Sequence, residues 1–560
     1  MQIGSVLLAE GLITAQQLEA ATAEHRLSGE RLDRVLVRIG VLSASDITGA
    51  LSRQFHMPIV DLAGVVADPV VLEALPPKLV YKQNCVPIAL ENGRLTVATS
   101  DPFELGELDE LRLLTGRAID LVLADEDDLA RYIRVNYGAA SATLDEMGAG
   151  ADASVQASEA STEEFEQAQE ASVIRLVNDV LAEAIAERAT DVHIEPYEHE
   201  LAVRYRIDGV LQRANVPPTI HRYAAAIVSR IKIMSSLNIA EKRRPQDGRI
   251  TFRHRAPDRG VAEYDLRVSV IPMLNGEGIV LRVLSKTTAL MALDDLGMPA
   301  SLLSKWDHLI DLPHGIVLVT GPTGSGKSTT LYASLNRIVT DEIKAITVED
   351  PVEYHVAGVN QIQVNTKVGL TFAAGLRSIL RHDPDVVMVG EIRDKETAEV
   401  AVQASLTGHL VFSTLHTNDS AGATTRLLDM GIEPFLVASS VEGVLAQRLV
   451  RRICKHCAAP HVPEPSELPP GFSLAPGAAL VSGTGCRECR STGYRGRIGI
   501  YELLDVTEPV REQIMSRVSA PVIADTALTR GDLMQMRADG FEKARAGMTT
   551  LAEVLRAIKA

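Results

Sequence analysis

A chain of 560 residues is too long for one hydrophobic core and predicts roughly three to five domains, and its 46% hydrophobic content requires that they fold. The formal charge of -17 argues against a protein that coats the phosphate backbone of nucleic acid, leaves room for a local basic patch, and favours a protein partner. The apolar runs, such as Ile316 to Val319 and Val386 to Val389, are far shorter than the roughly 20 residues a membrane-crossing helix needs, so any membrane contact is expected to be peripheral.

Met1 to Leu8 carries no cationic leader and Glu10 interrupts the apolar segment, which predicts a chain without an export signal that stays in the cytoplasm. The first 54 residues repeat at an offset of 29: Ile3-Gly4-Ser5-Val6-Leu7 and Gly11-Leu12-Ile13 return as Leu32-Asp33-Arg34-Val35-Leu36 and Gly40-Val41-Leu42. Each unit predicts a short helix, a glycine stop, and a second helix ending near His25 or Gln54. With the β-type runs Arg94 to Thr99 and Ile119 to Leu123, this gives a docking domain over 1–135, part helical and part α/β. Residues 136–170 are small-sided and acidic, with no Lys or Arg from Val135 to Ile174, and predict a flexible linker that lets the N-terminal domain swing.

After the linker, apolar residues at helical spacing over Ser172 to Arg188 and strand-like runs at 192–194, 201–207, 266–270 and 279–283 predict an α+β domain over 171–290. Strands and helices then alternate over 291–450, as a mainly parallel sheet requires. Within this core, Gly321-Pro322-Thr323-Gly324-Ser325-Gly326-Lys327-Ser328-Thr329 follows the apolar run Ile316 to Val319 and opens a helix-compatible stretch to Arg337. That is the strand, glycine loop and helix start of a P-loop. Its glycines let backbone N–H groups and the positive helix end face a triphosphate such as ATP. Lys327 reaches the terminal phosphates, and the Ser328 hydroxyl holds Mg²⁺.

Hydrolysis needs acids opposite this loop. Asp385 to Glu391 is a buried-looking strand ending in a carboxylate, a Walker B form in which Glu391 would orient Mg²⁺ or its water. Ile346 to Glu353 is another strand with an acid-dense end, where Glu349 is the candidate for positioning the nucleophile; spacing leaves the choice between Glu349 and Glu391 open. His409 and His416 flank the apolar strand Leu410 to Leu415 and are expected to contribute to the site.

The chain has five cysteines. Cys454/Cys457 and Cys486/Cys489 are C-x-x-C pairs 28 residues apart, and in a chain with no export signal they predict a structural, tetrahedral Zn²⁺ site over 451–495 rather than disulfides. His456 and His461 lie nearby as alternative ligands, and Cys85 reads as a buried apolar residue. Residues 496–560 are expected to be helical.

The P-loop, the acidic box Glu349 to Glu353, the Walker B segment, the histidine box and Thr190-Asp191-Val192-His193-Ile194-Glu195-Pro196 together resemble the type II/type IV secretion traffic ATPases. Within that family, Gly321 to Thr329 and Ala446-Gln447-Arg448-Leu449-Val450-Arg451 most resemble the E-type motors of type II secretion, with the pilus extension ATPases as the alternative. The resemblance implies a RecA-like P-loop core and a homohexamer that hydrolyses ATP. It also implies arginines supplied by the preceding domain, at Arg267 and Arg282, with Arg249 a further candidate. The implied partners are an inner-membrane L-type protein docked by the N-terminal domain and an F-type platform protein. Arg377 and Arg381, four apart, would serve a subunit contact.

The repeat also resembles an N-terminal module that binds cyclic di-GMP, but Gln2 replaces an arginine, Asp33 a glycine and His25 a glutamine, which speaks against that ligand. A nucleic-acid translocase and a non-catalytic nucleotide sensor are the rival readings. The acidic whole opposes the first, and the carboxylates Glu349 and Glu391 oppose the second.

Overall fold

The computed structural model describes residues 3–28, 32–62, 65, 67–102, 111–112, 115–138, 140, 143–144, 162–256, 260–285, 291–464, 467–475 and 478–559. The chain divides into two compact units, Met1–Ser285 and Lys286–Ala560.

The first unit opens with the repeat as helices α1 (Ile3–Ala9), α2 (Ala15–Ser28), α3 (Leu32–Arg38) and α4 (Ala44–Phe55). Gly11 and Gly40, the two glycine stops, adopt φ of 70° and 73°, the left-handed conformation that ends a helix. Val6, Leu7, Val35 and Leu36, equivalent positions of the two repeats, are buried in one cluster. A three-stranded sheet of β1 (Cys85–Glu91), β2 (Arg94–Thr99) and β3 (Ala118–Leu123) follows, and then α5 (Glu126–Tyr137). Cys85 is fully buried there, and loss of hydration pushes its thiol up to about 12.

The expected linker has more structure at its ends than its composition suggests. Leu144 is buried among residues of α6 (Thr162–Ala186), and the Thr143 hydroxyl donates to Asp179 at 2.8 Å. Helix α6 itself starts ten residues ahead of Ser172, while 145–161 lies outside the described residues. Burial of Leu176, Val177, Val180 and Leu181 anchors the helix, and the polar stretch before it continues the same hydrogen-bond ladder.

Beyond α6 lies a six-stranded antiparallel sheet of β4 (Asp191–Pro196), β5 (Leu201–Ile207), β6 (Val210–Arg213), β7 (Gln246–Ala256), β8 (Gly260–Met273) and β9 (Gly276–Ser285), in the order β6-β5-β4-β9-β8-β7. Val192 and Ile194 turn into the core while Asp191, His193 and Glu195 line the other face, as the period of two dictates.

In the second unit, α7 (Ala300–Ile310) precedes β10 (Gly315–Thr320), α8 (Lys327–Ile338), β11 (Ala345–Glu349), β12 (Val359–Gln363), β13 (Val386–Val389), α9 (Lys395–Leu406), β14 (Leu410–Leu415), α10 (Ser420–Asp429) and β15 (Val441–Ile453). The sheet order is β12-β11-β13-β14-β10-β15, every neighbouring pair parallel. All six residues of β10 are buried: Ile316 and Leu318 pack into one apolar cluster, and Val317 and Val319 into another on the opposite face. Each such side chain contributes about 1.5–3 kcal/mol of burial, which fixes the strand from which the glycine loop departs.

The segment after 450 corrects one expectation. Residues 496–560 are not purely helical, because β18 (Tyr494–Asp505) pairs antiparallel with β15 and extends the main sheet. The cysteine module, with a hairpin of β16 (Ala458–His461) and β17 (Leu480–Gly483), is thus inserted between two strands of the main sheet. Helices α11 (Glu508–Met515), α12 (Ala520–Arg530), α13 (Met536–Arg545) and α14 (Leu551–Lys559) finish the chain.

Candidate nucleotide site and metal centre

A parallel sheet delivers the ends of its strands to one edge, and here β10, β11, β13 and β14 end in Thr320, Glu349, Val389 and Leu415. The P-loop, Glu391 and His416 follow directly from these ends and are gathered at the carboxyl edge, where open α/β sheets bind ligands.

Gly321 has φ of 144°, and a Cβ there would stand 2.5 Å from the Gln447 carbonyl oxygen; at Gly326, φ 94°, it would stand 2.7 Å from Gln447 Nε2. Both positions therefore demand glycine. Strand β15 is the reason: Ala446 pairs with Thr320, the last residue of β10, so Gln447 and Arg448 continue past it and lie behind the loop. Gln447 Oε1 also accepts from the Thr330 hydroxyl at 2.7 Å, which ties that strand to the first turn of α8.

Lys327 donates to the carbonyls of Gly321 and Pro322 at 2.8 and 3.1 Å, folding back over the loop. Burial draws its amine down to about 8; Glu391 pulls the other way and Arg448 adds to the depression. Ser328, on the first turn of α8, is exposed. A cradle that only glycine fits, a lysine beside it and an exposed hydroxyl match a nucleotide triphosphate with Mg²⁺.

The two carboxylates differ. Glu391 pairs with Arg393 at 2.5 Å and with His416 Nε2 at 3.3 Å, and its side chain is 15% exposed. Glu349 is 4% exposed, and its carboxylate accepts from the Tyr332 hydroxyl, from Thr347 at 2.6 Å and from Gln361 at 3.1 Å. Burial, with the adjoining Glu349, holds the Tyr332 phenol protonated well above its ordinary range. In this conformation Glu349 is engaged on the α8 and β12 side, and Glu391 is the acid paired with a histidine.

His409 is not brought to the loop. It precedes β14, its backbone oxygen accepts from Gly315, and its Nδ1 contacts the Ala404 carbonyl at 2.9 Å and Thr407 at 3.2 Å. Five or six residues of strand at about 3.3 Å each put it roughly 20 Å from the site, because the two histidines sit at opposite ends of one strand. Within this chain it closes the turn after α9.

In the first unit, Arg249, Arg267 and Arg282 are directly paired across β7, β8 and β9, and Arg282 is paired in turn with Asp191 and Asp191 with Arg206. Cross-strand partners share a face, so four guanidiniums and one carboxylate form a row. Arg249 binds Asp265 through two bonds, and Arg282 lies 3.3 Å from Asp191. Neither β7 nor this row was expected, although Arg249-Ile250-Thr251-Phe252-Arg253 alternates polar and apolar residues as a half-buried strand does.

The four cysteines converge. Cys454 and Cys486, Cys457 and Cys489, and Cys486 and Cys489 have Sγ separations of 3.7 Å, and all four sulfurs lie within 4.8 Å of one another. Sulfurs about 2.3 Å from a central Zn²⁺ at tetrahedral angles would be about 3.8 Å apart, so the geometry fits that ion. Backbone N–H groups of Cys486 and Gly493 donate to the Cys489 sulfur at 3.1 and 3.2 Å, the polarised support a thiolate ligand needs. His461 instead pairs with Glu467 at 3.0 Å.

Residues 166–556 match the family model described as type II/IV secretion system protein. The chain belongs to that family. A second model, the MshEN domain, matches 55–143 and so begins after the 29-residue repeat. The chain is 41% identical to the type IV pilus assembly ATPase PilB of Myxococcus xanthus over 99% of its own length and 98% of that protein's. It is 46% identical to type II secretion system protein E of Pseudomonas aeruginosa over 89% of this chain and 98% of that one. Among solved structures, the Yersinia pseudotuberculosis ATPase DotB shares the fold, with TM-score 0.50 and 21% identity over 68% of this chain and 92% of that one. The nucleotide core is accordingly RecA-like, and the family is one of secretion and pilus ATPases. Among the described residues no helix is long and apolar enough to cross a membrane.

Proposed function

We propose that this chain is the Mg²⁺-dependent ATP hydrolase of a type II secretion system, working as a homohexamer peripherally attached to the bacterial inner membrane. The observation that carries the reading is the shared sheet edge, where the glycine cradle and Lys327 lie with the Glu391–His416 pair. Residues 321–329 hold the nucleotide, Ser328 the Mg²⁺, and Glu391 and Glu349 provide the acids that orient water. His416 holds Glu391, and Arg267 and Arg282 contribute positive charge to phosphoryl transfer. The four cysteines hold Zn²⁺ as a structural ion. The N-terminal domain docks to an L-type inner-membrane protein, with an F-type platform protein as second partner. Neither nucleic acid nor cyclic di-GMP is a ligand on this reading.

Pilus assembly is the second reading, favoured by the relative that aligns with 99% of this chain. Deleting the gene and scoring exported proteins and surface pili separately tests the choice. Loss of export with pili intact supports secretion, and the reverse assigns the chain to pilus extension.

A further inference from the structure

Loop 416–419, between β14 and α10, is fastened at three points that follow His416. Thr417 bonds through its N–H and its hydroxyl to the Thr320 hydroxyl, at 2.9 and 2.7 Å, one residue before the P-loop. Ser420 donates from its N–H and hydroxyl to Glu502 at 2.9 and 2.6 Å. Between these points, Asn418 is held by Arg448, whose guanidinium donates to the Asn418 carbonyl at 3.1 Å and its side-chain oxygen at 3.3 Å.

Arg448 is only 6% exposed, and its Nε has no partner among the described residues. Burial lowers its pKa from the ordinary arginine value, opposed by Glu502 and Asp419. An arginine kept at this desolvation cost, without a bidentate carboxylate, calls for a role beyond packing. Its other terminal nitrogen bonds the Gln447 carbonyl at 3.3 Å and lies 3.2 Å from where a Cβ on Gly321 would be. From its own strand behind the P-loop, this planar fork therefore reaches with one nitrogen toward Gly321 and with the other to the loop that follows His416. A lysine, with a single point of charge, would not span both.

We infer that Arg448 is a positioning residue for hydrolysis: through Asn418 it fixes the His416–Glu391 pair in register with the P-loop. This rests on the hydrolase reading above. Because Arg448 reaches reacting atoms only through other residues, its loss should affect turnover more than nucleotide retention.

The test compares wild type, R448Q, R448K, N418A and the R448Q/N418A double variant in the full-length protein. It measures kcat by phosphate release and Kd for a fluorescent ADP analogue, with circular dichroism and thermal melting as controls on folding. The expected result is a fall in kcat of about tenfold or more in R448Q and R448K, with Kd changed less than about threefold. N418A, which keeps the carbonyl contact and loses only the side-chain one, should lower kcat less than R448Q, and the double variant should be no worse than R448Q, as residues acting through one contact require. Wild-type kcat in R448Q or R448K, or multiplying losses in the double variant, would overturn the inference while leaving the hydrolase reading intact. Should R448Q fail to fold, R448K decides: wild-type turnover there equally overturns it. A wild-type protein that releases no phosphate would instead sink the hydrolase reading itself.

Discussion

His416 Nε2 lies 3.3 Å from Glu391 Oε2, and this pair joins two strand ends, β13 and β14, beside the glycine loop. Each residue comes from a different motif, and the parallel register of the two strands makes them neighbours. The opposing end of β14 carries His409, whose ring is tied to Ala404 and Thr407.

The two histidines should therefore separate on substitution. H416A and E391Q are expected to lower kcat by at least about 10²-fold, within the range of general acid–base and electrostatic contributions. H409A should retain most of its turnover and lose about 1 kcal/mol of stability, the value of an ordinary hydrogen bond. Steady-state kinetics and thermal melts on the three variants read both effects. A collapse of kcat in H409A with unchanged stability would restore it to the site.

Lys327 gives a pH prediction. Burial draws its amine down to about 8, and a bound triphosphate would favour the charged form and raise that value. Binding should therefore take up protons, increasingly so as pH rises through about 8, and nucleotide affinity should fall above that pH. Calorimetric titration with ADP at pH 7 and 8.5, in buffers of different ionisation enthalpy, counts the protons directly. An uptake that does not grow over this interval contradicts the assignment of the depressed value to Lys327.

In the arginine row across β7, β8 and β9, Arg267 stands between Arg249, which Asp265 holds, and Arg282, which Asp191 holds. R267A is expected to reduce kcat by about 10³-fold or more, the lower bound for an arginine finger, with a smaller change in nucleotide Kd. A loss confined to affinity would demote Arg267 to an ordinary ligand.

Much of this was legible before the fold was seen. The P-loop could be read because its glycines answer to a local requirement, a backbone wrapped closely around phosphate, and the apolar strand before it is continuous. The cysteine pairs were legible for a similar reason, since metal geometry constrains spacing. Gln447 and Arg448 stood out only as part of the motif Ala446 to Arg451; that they act on Gly321 and Gly326 from a strand more than 100 residues away is shown only by the register of β15 against β10. The opposite fates of His409 and His416 were hidden too, because a symmetrical pair in sequence becomes two ends of a strand in space.

Zinc should be separable from nucleotide binding. The ion is expected to contribute on the order of 10 kcal/mol to folding a module with few apolar residues of its own. C486S should lose bound zinc and speed hydrogen exchange across residues 451–495, while ADP binding changes little. Equal zinc content in C486S and wild type, by atomic emission, would exclude the four-sulfur site.

The central claim is that this protein cleaves ATP at the cradle formed by residues 321–329 and Glu391. Phosphate release by the purified full-length protein with Mg²⁺, beside its K327A variant, tests it most directly. The account predicts steady turnover in the wild type and a loss of at least about 10²-fold in K327A. Equal turnover in the two, or none in a wild type assembled as a ring, would contradict it.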